Sequence, residues 1–253
     1  MTPAAWAMHL AWMTVPWVAM GGRARADDIV PAESRPAAAI DPALAAQLES
    51  IDRRAAAIRD VTASFEERKF TALLKKPLVS SGTLRSVGSR ARWDTKSPHP
   101  SAMVVDAAGI RIYYPERSTL EVYALDEKLR WLAVSPLPRL MALLDRFYIE
   151  RTTDAERRDS ETPHAHLALR LHPRDEAVGR YVRQVDVLLD TDTAFVVRVE
   201  MLDVDGDRTV ISFSDIRANA GIGDADVELT VPGDTRIVRP LAGIETPPPA
   251  PSP

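Results

Sequence analysis

The sequence contains no cysteine among its 253 residues. Disulfide bonds, thiolate nucleophiles and zinc or iron–sulfur sites built on cysteine are therefore excluded. Acylation of the chain itself is excluded as well, because bacterial lipoproteins carry their lipid on a cysteine. We infer that the folded protein is stabilised by its hydrophobic core alone.

An excess of positive charge is also missing. The formal net charge is −4, and it becomes −6 if Arg23 and Arg25 are removed with a leader. This balance argues against a nucleic-acid partner and against tight adhesion to anionic lipid, since both require basic surfaces. The sequence also lacks a Gly-x-Ser-x-Gly elbow and a glycine-rich phosphate loop. We expect no enzyme, no catalytic residue, no cofactor and no metal.

The N-terminal segment has the features of an export signal. Residues 4–20 carry no formal charge, and Ala24 and Ala26 form a small-residue cleavage pattern. We predict a signal peptide over residues 1–26, a mature start at Asp27 and a periplasmic location. The alternative is an uncleaved anchor, although this apolar run is short for a bilayer span.

Composition divides the rest of the chain into three parts. Residues 27–40 are rich in alanine, proline and acid, which predicts a linker. Residues 243–253 form a proline-rich tail that we expect to be disordered. Between them, residues 41–242 contain no repeat and no second linker, so we predict one domain.

The domain begins with a helix. Asp41 is a good N-cap and Pro42 suits the first helical position. Apolar residues then recur at intervals of three and four, which predicts one buried stripe on a helix that ends near Asp60. These residues are Leu44, Leu48, Ile51, Ala55 and Ile58.

Beyond the helix, short alternating runs separated by turn residues predict strands. A second predicted helix at Leu137–Phe147 interrupts this series of strands, and the last predicted strand is Val227–Thr230. Short turns favour an antiparallel meander over a βαβ fold. We predict a mainly β protein with helices (α+β). Its single sheet of about eleven strands curls into an incomplete barrel, with helices on the concave face.

An ordered series of motifs resembles the LolA family of outer-membrane lipoprotein carriers. The likeness extends over about residues 48–238. Its main pieces are Ala63-Ser-Phe65-Glu-Glu-Arg-Lys69, Ser81-Gly82-Thr-Leu84, Arg92-Trp93-Asp94, Ile112-Tyr-Tyr114-Pro115, Asp205-Gly206 and Thr209-Val-Ile211-Ser-Phe213.

The resemblance implies a monomeric periplasmic chaperone with an apolar cavity for acyl chains, built as an incomplete barrel closed by helices. Such carriers take lipoproteins from an inner-membrane ABC-type extractor and pass them to an outer-membrane receptor. That receptor is itself a lipoprotein, so the absence of cysteine favours the carrier role.

Candidate cavity residues are those on the apolar faces of the predicted strands and of the second helix. The alternative for each of them is ordinary core packing. They are Leu84, Trp93, Met103, Val105, Ile112, Leu140, Leu144, Phe147 and Phe213.

Arg90 and Arg92 flank Ala91 and share one face of a strand. Many family members latch the lid to the barrel with a basic residue and a Phe before the tryptophan. Here Val87 and Ala91 stand at those places, with the two arginines nearby. We assign Arg90 and Arg92 to the lid latch or the cavity mouth. The alternative is a solvated exterior.

Other functions fit the same sequence. The cargo of the carrier is an acylated lipoprotein, a glycolipid or another exported lipid, and the sequence does not separate these. A periplasmic regulator that senses lipid with the same fold is a second hypothesis. A hydrolase acting on acylated substrates is a third, although no motif supports it.

Overall fold

The computed structural model describes residues 40–123, 136–152 and 165–240. These residues form twelve strands and three helices. The helices are α1 (Pro42–Ala56), α2 (Leu140–Leu143) and α3 (Glu176–Gly179). The strands are β1 (Asp60–Phe70), β2 (Leu78–Val87), β3 (Arg90–Ser97), β4 (Ser101–Asp106), β5 (Gly109–Tyr114), β6 (Thr119–Tyr123), β7 (Phe147–Arg151), β8 (His166–Pro173), β9 (Val182–Asp190), β10 (Phe195–Asp203), β11 (Arg208–Ala218) and β12 (Arg236–Val238).

All twelve strands belong to one sheet, in the order β12-β6-β5-β4-β3-β2-β1-β11-β10-β9-β8-β7. Neighbouring strands are antiparallel except β12 and β6, which pair in parallel. The sheet is not closed, since β12 and β7 stand at its two ends. Strand β1 lies between β2 and β11. It therefore joins two groups of consecutive antiparallel strands, β2–β6 on one side and β7–β11 on the other.

Helix α1 confirms the predicted start and apolar stripe. The Asp41 carboxylate accepts a hydrogen bond of 2.7 Å from the Ala43 N–H, and Pro42 follows it. The side chains of Leu44, Leu48 and Ile51 are buried. The helix ends at Ala56 rather than near Asp60, because Asp60 already pairs with Val87 as the first residue of β1.

The second predicted helix is much shorter than expected. Only Leu140–Leu143 is helical, and Phe147 begins strand β7. Phe147 and Ile149 are buried two positions apart, which is the period of a strand. The apolar spacing before Phe147 fits a helix equally well. The boundary between α2 and β7 therefore depends on the pairing of β7 with β8, which the local sequence pattern does not reveal.

The predicted strand at Val227–Thr230 is wrong. Val227 closes a 3-10 turn over Asp224–Val227, and its side chain is buried. The last strand is instead Arg236–Val238, which pairs with Thr119–Glu121 of β6. Over the described residues the sheet has twelve strands, whereas about eleven were expected.

One face of the sheet holds the main core. We call it the Trp93 face. The Trp93 ring lies 4.8 Å from the ring centroid of Phe65 and 5.8 Å from that of Phe213. Buried side chains from every strand except β12 join this cluster, together with those of Leu44, Leu48 and Ile51 from α1.

Candidate functional site

The structure brings the nine predicted cavity residues into one apolar cluster. Eight of them are buried, and Leu144 is partly buried against the others. Leu84, Trp93, Met103 and Ile112 form a continuous row, since each is the cross-strand partner of the next. Alternation along the strands is what placed these side chains on a common face.

The same cluster continues onto β8, β9 and β10, from which no candidate was taken, and onto a further residue of β11 beside Phe213. Leu169, Val187, Val199 and Ile211 form a second row through the cross-strand pairs of β8, β9, β10 and β11. All four side chains are buried in the cluster. Their alternating pattern is as clear as that of β2–β5, so the signal for them was present in the sequence.

Helices α1 and α2 lie together beside this cluster, and we call the pair the roof. The Asp52 carboxylate of α1 accepts hydrogen bonds from the N–H groups of Leu140 and Met141, at 2.9 and 2.8 Å. Arg139 offers α2 no side-chain cap, so Asp52 supplies the acceptors that a helix N-terminus needs.

Polar contacts also join the roof to the strand side of the molecule. The Arg54 guanidinium donates to the carbonyl of Thr191 at 2.8 Å. The Arg151 guanidinium donates to the Gln47 side-chain oxygen at 2.7 Å. These bonds lie in exposed positions, where each contributes little to stability. The roof is therefore attached mainly by its apolar stripe and by Asp52.

Replacement of Asp52 by alanine should loosen α2. We expect Asp52→Ala to lower the free energy of unfolding by about 1–2 kcal/mol, because two backbone donors lose a charged acceptor. Urea unfolding measures this change. Glu49→Ala is the matched control, since Glu49 is exposed on the same helix. An equal loss in both variants would contradict the capping role.

A cleft opens at one end of the Trp93 face. It has a volume of about 820 Å³, including the part open to solvent. Strands β1–β4, the end of β5 and the β3–β4 turn line it. The lining residues are Glu67, Lys69, Leu78, Val79, Ser80, Thr95, Pro98, His99, Pro100, Ser101, Tyr114, Glu116 and Arg117.

Three titratable groups of the cleft have shifted pKa values, and burial raises the pKa of the Tyr114 hydroxyl. Burial raises the pKa of the Glu67 carboxyl to about 7, although the nearby Lys69 ammonium opposes the shift. Burial lowers the pKa of Lys69, against the effect of Asp207. The Lys69 ammonium lies 3.7 Å from the Asp207 carboxylate. Glu67 and Lys69 follow Phe65 on β1 at two-residue intervals, so they lie on the Trp93 face.

Arg90 and Arg92 bind the segment that follows β11. The Arg90 guanidinium lies 3.1 Å from the Asp224 carboxylate. Arg92 donates to the Glu228 carbonyl and to the Asp94 carboxylate. Since Arg92 neighbours Trp93 on β3, its side chain leaves the opposite face of the sheet. The latch or mouth role of these arginines stays a prediction.

The residues that the structure describes contain no cluster of acidic, histidine or cysteine side chains suited to a metal ion. Over the same residues, no helix has the length and apolar character needed to span a bilayer.

An open, mainly antiparallel sheet with an extensive apolar face, two helices beside it and a cleft at one end is an architecture suited to binding a ligand. The sequence matches the family model described as outer membrane lipoprotein carrier protein LolA over residues 56–226. The chain therefore belongs to the LolA family, whose fold is one of carriers rather than of catalysts. No curated protein matches it.

The solved structures that match this chain share little sequence with it. An uncharacterized conserved protein from Thermus thermophilus has 9% identity and a TM-score of 0.49, with 78% of this chain and 99% of that chain covered. The putative outer membrane lipoprotein-sorting protein domain from Vibrio parahaemolyticus has 15% identity, a TM-score of 0.38 and coverage of 72% and 95%. Lipoprotein LppX from Mycobacterium tuberculosis has 12% identity, a TM-score of 0.43 and coverage of 74% and 100%.

Proposed function

We propose that this protein is a periplasmic carrier that binds the acyl chains of lipoproteins and shuttles them from the inner to the outer membrane. An inner-membrane ABC-type extractor would load it, and an outer-membrane receptor would unload it. The observation that carries the proposal is the continuous apolar cluster of the Trp93 face, to which all strands except β12 contribute. Membership of the LolA family supports the same role.

Acyl chains need such a surface because they cannot cross water unaided. Each buried CH₂ group contributes about 0.8 kcal/mol, so one chain of ordinary length requires apolar contacts worth on the order of 10 kcal/mol. The side chains of the Trp93 face pack on one another and on α1. Binding therefore requires the roof to move away from the Trp93 face. The acyl chains then take the place of the side chains of the roof.

The roof is suited to this exchange. Leu140 is buried, whereas Met141, Leu143 and Leu144 are partly buried against the cluster. A helix of only four residues, held by one carboxylate, has few bonds to break. When the cargo leaves, the same side chains cover the cluster again. The empty carrier then exposes no large apolar surface.

Native mass spectrometry of the protein isolated from periplasm, followed by lipid extraction, tests the proposal. We expect acylated protein or lipid to co-purify. An acylated polypeptide would support lipoprotein transport, and a free lipid would support the same carrier role with another cargo. A protein that is empty from the periplasm and also fails to bind added acyl lipids would overturn it.

Leu144→Glu should reduce lipid binding more than stability. Leu144 packs at the margin of the cluster, so an ionised side chain there can still reach solvent and costs little stability. The same charge would lie beside the entering acyl chain and weaken its binding. We expect affinity for a fluorescent fatty acid to fall at least ten-fold, with a change in unfolding free energy below about 1.5 kcal/mol. Leu73→Glu is the control, because Leu73 is 87% exposed. Equal affinities in the two variants would argue against the roof as the entrance.

A further inference from the structure

The Trp93 face changes from apolar to polar along five adjacent strands, towards the end that carries the cleft. On β1 the change falls between Phe65 and Glu67, and on β3 it falls one pair earlier, between Trp93 and Thr95, because Thr95 is level with Gly82 and Phe65. Strands β2, β4 and β5 change in the same direction. The apolar members there are Leu84, Met103 and Ile112, and the polar members are Ser80, Ser101 and Tyr114.

This boundary divides one continuous surface into an apolar end and a polar end. The apolar end belongs to the buried cluster, and the other end forms the cleft, where polar side chains stand beside Leu78, Val79, Pro98 and Pro100. Such a division matches an amphiphile whose chains and polar group lie next to each other. A surface meant only for core packing has no need of polar side chains on five adjacent strands.

The floor of the cleft contains a buried hydroxyl without a partner. The Ser101 side chain is 5% exposed, and its Oγ has no hydrogen-bond partner among the residues that the structure describes. A buried hydroxyl that lacks a partner costs free energy, so such groups in native proteins usually meet a ligand or water. Ser101 therefore indicates that something polar binds here.

The charges of the cleft favour a neutral ligand over an anion. The Lys69 ammonium faces the Asp207 carboxylate, and the His99 ring lies 3.4 Å from the Glu116 carboxylate at the rim. Arg117 is exposed. A phosphate site would instead present several uncompensated cations. Hydroxyl and carboxyl side chains are well suited to hydroxyl groups, because they accept and donate hydrogen bonds at short range.

We infer that the cleft binds the neutral polyol group of the cargo, a glyceryl or a sugar unit, while the acyl chains lie at the apolar end of the Trp93 face. The inference rests on the proposed carrier function and adds a polar subsite to it. A glyceryl unit would come from an acylated lipoprotein and a sugar unit from a glycolipid. The glyceryl unit offers ester oxygens, which accept hydrogen bonds, and the sugar unit offers vicinal hydroxyls, which accept and donate them. Ser80, Thr95, Ser101 and Glu67 supply the partners for either.

Calorimetric titration with three amphiphiles of similar chain length tests this subsite, each used below its critical micelle concentration. Monolauroylglycerol and dodecyl maltoside carry neutral polyol groups, and dodecylphosphocholine carries a zwitterion. We expect one or both of the polyol amphiphiles to bind at least five-fold more tightly than the phosphocholine. The better of the two identifies the source of the polyol.

Ser101→Ala and Glu67→Gln should reduce that preference to less than about two-fold, while binding of dodecylphosphocholine stays unchanged. The matched control is Ser81→Ala, because Ser81 follows Ser80 on the opposite face of β2. Thermal unfolding of each variant confirms that the fold is kept. Equal binding of all three amphiphiles, unaffected by the variants, would overturn the subsite and leave the carrier function standing. Failure of all three to bind would overturn both.

Discussion

Gly82→Ala is expected to destabilise the protein by about 3 kcal/mol or more, which for a domain of this kind threatens folding itself. A Cβ atom at position 82 would lie 2.0 Å from the Asp94 carbonyl oxygen and 2.9 Å from Cε1 of Phe65. The first neighbour is backbone of the paired strand β3, so it cannot turn aside. The second is a ring of the central aromatic cluster, which meets the Trp93 ring edge to face.

Urea unfolding of purified protein measures this effect, and the soluble yield gives a second readout if the variant does not fold. Gly233→Ala is the matched control, since a Cβ there meets nothing within 4 Å. We expect the control to change the free energy of unfolding by less than about 0.5 kcal/mol. A Gly82→Ala protein as stable as the control would show that β2 and β3 separate easily, contrary to the packing described above.

The second large effect is a pH dependence of stability that depends on Glu67. Burial raises the pKa of its carboxyl from 4.5 to about 7 in the folded state. The folded protein therefore holds this proton more tightly than the unfolded chain does. Its contribution to stability is full below about pH 4.5 and is lost as the pH rises through about 7, a difference of about 3 kcal/mol.

Urea unfolding at about pH 5 and about pH 8 tests this prediction. The stability lost by the wild type between the two pH values should exceed that lost by Glu67→Gln by about 2 kcal/mol, because glutamine does not titrate. All other ionisable groups are present in both proteins, so their contributions to this difference cancel. Glu66→Gln is the control, since Glu66 lies on the opposite face beside Arg68. Identical pH profiles of wild type and Glu67→Gln would contradict the burial of this carboxyl.

Local sequence patterns predicted the features that depend on neighbouring residues. The N-cap at Asp41 and the stripe of α1 follow from spacing within a few turns, and the structure confirms both. The antiparallel hairpins from β2 to β6 follow from alternation and short turns, and the structure confirms them too. Seven of the nine candidate cavity residues lie on strands and share one cluster because each strand of a sheet has the same two-residue period. Leu140 and Leu144 join the cluster from α2 and its C-terminal end.

Features that depend on distant pairing could not be predicted in the same way. Strand Arg236–Val238 exists because it pairs with Thr119–Glu121, and its own three residues contain no strand pattern. The start of α2 is bound by Asp52, which lies 88 residues before Leu140, and its early end depends on the pairing of Phe147 with Pro173 of β8. In both cases the decisive partner is remote in the chain, so propensity was overridden by tertiary contacts.

The cleft was missed for a different reason. Glu67, Ser80 and Thr95 look like ordinary polar residues near strand ends when each strand is considered alone. Their position becomes meaningful only when strand pairing brings them to the same end of the sheet, where Glu67 pairs with Ser80 and Thr95 lies opposite Gly82. Register depends on hydrogen bonding between strands, which a single sequence specifies weakly.

The central position of β1 has a consequence for assembly. The hairpins on either side of it are local and can form quickly, but β1 must also find β11, whose paired residues lie roughly 140 to 160 positions further along the chain. Closing so long a loop is slow. The junction of β1 with β11 should therefore be the last seam to form, and a nascent chain stays incomplete until nearly all of its residues have been made.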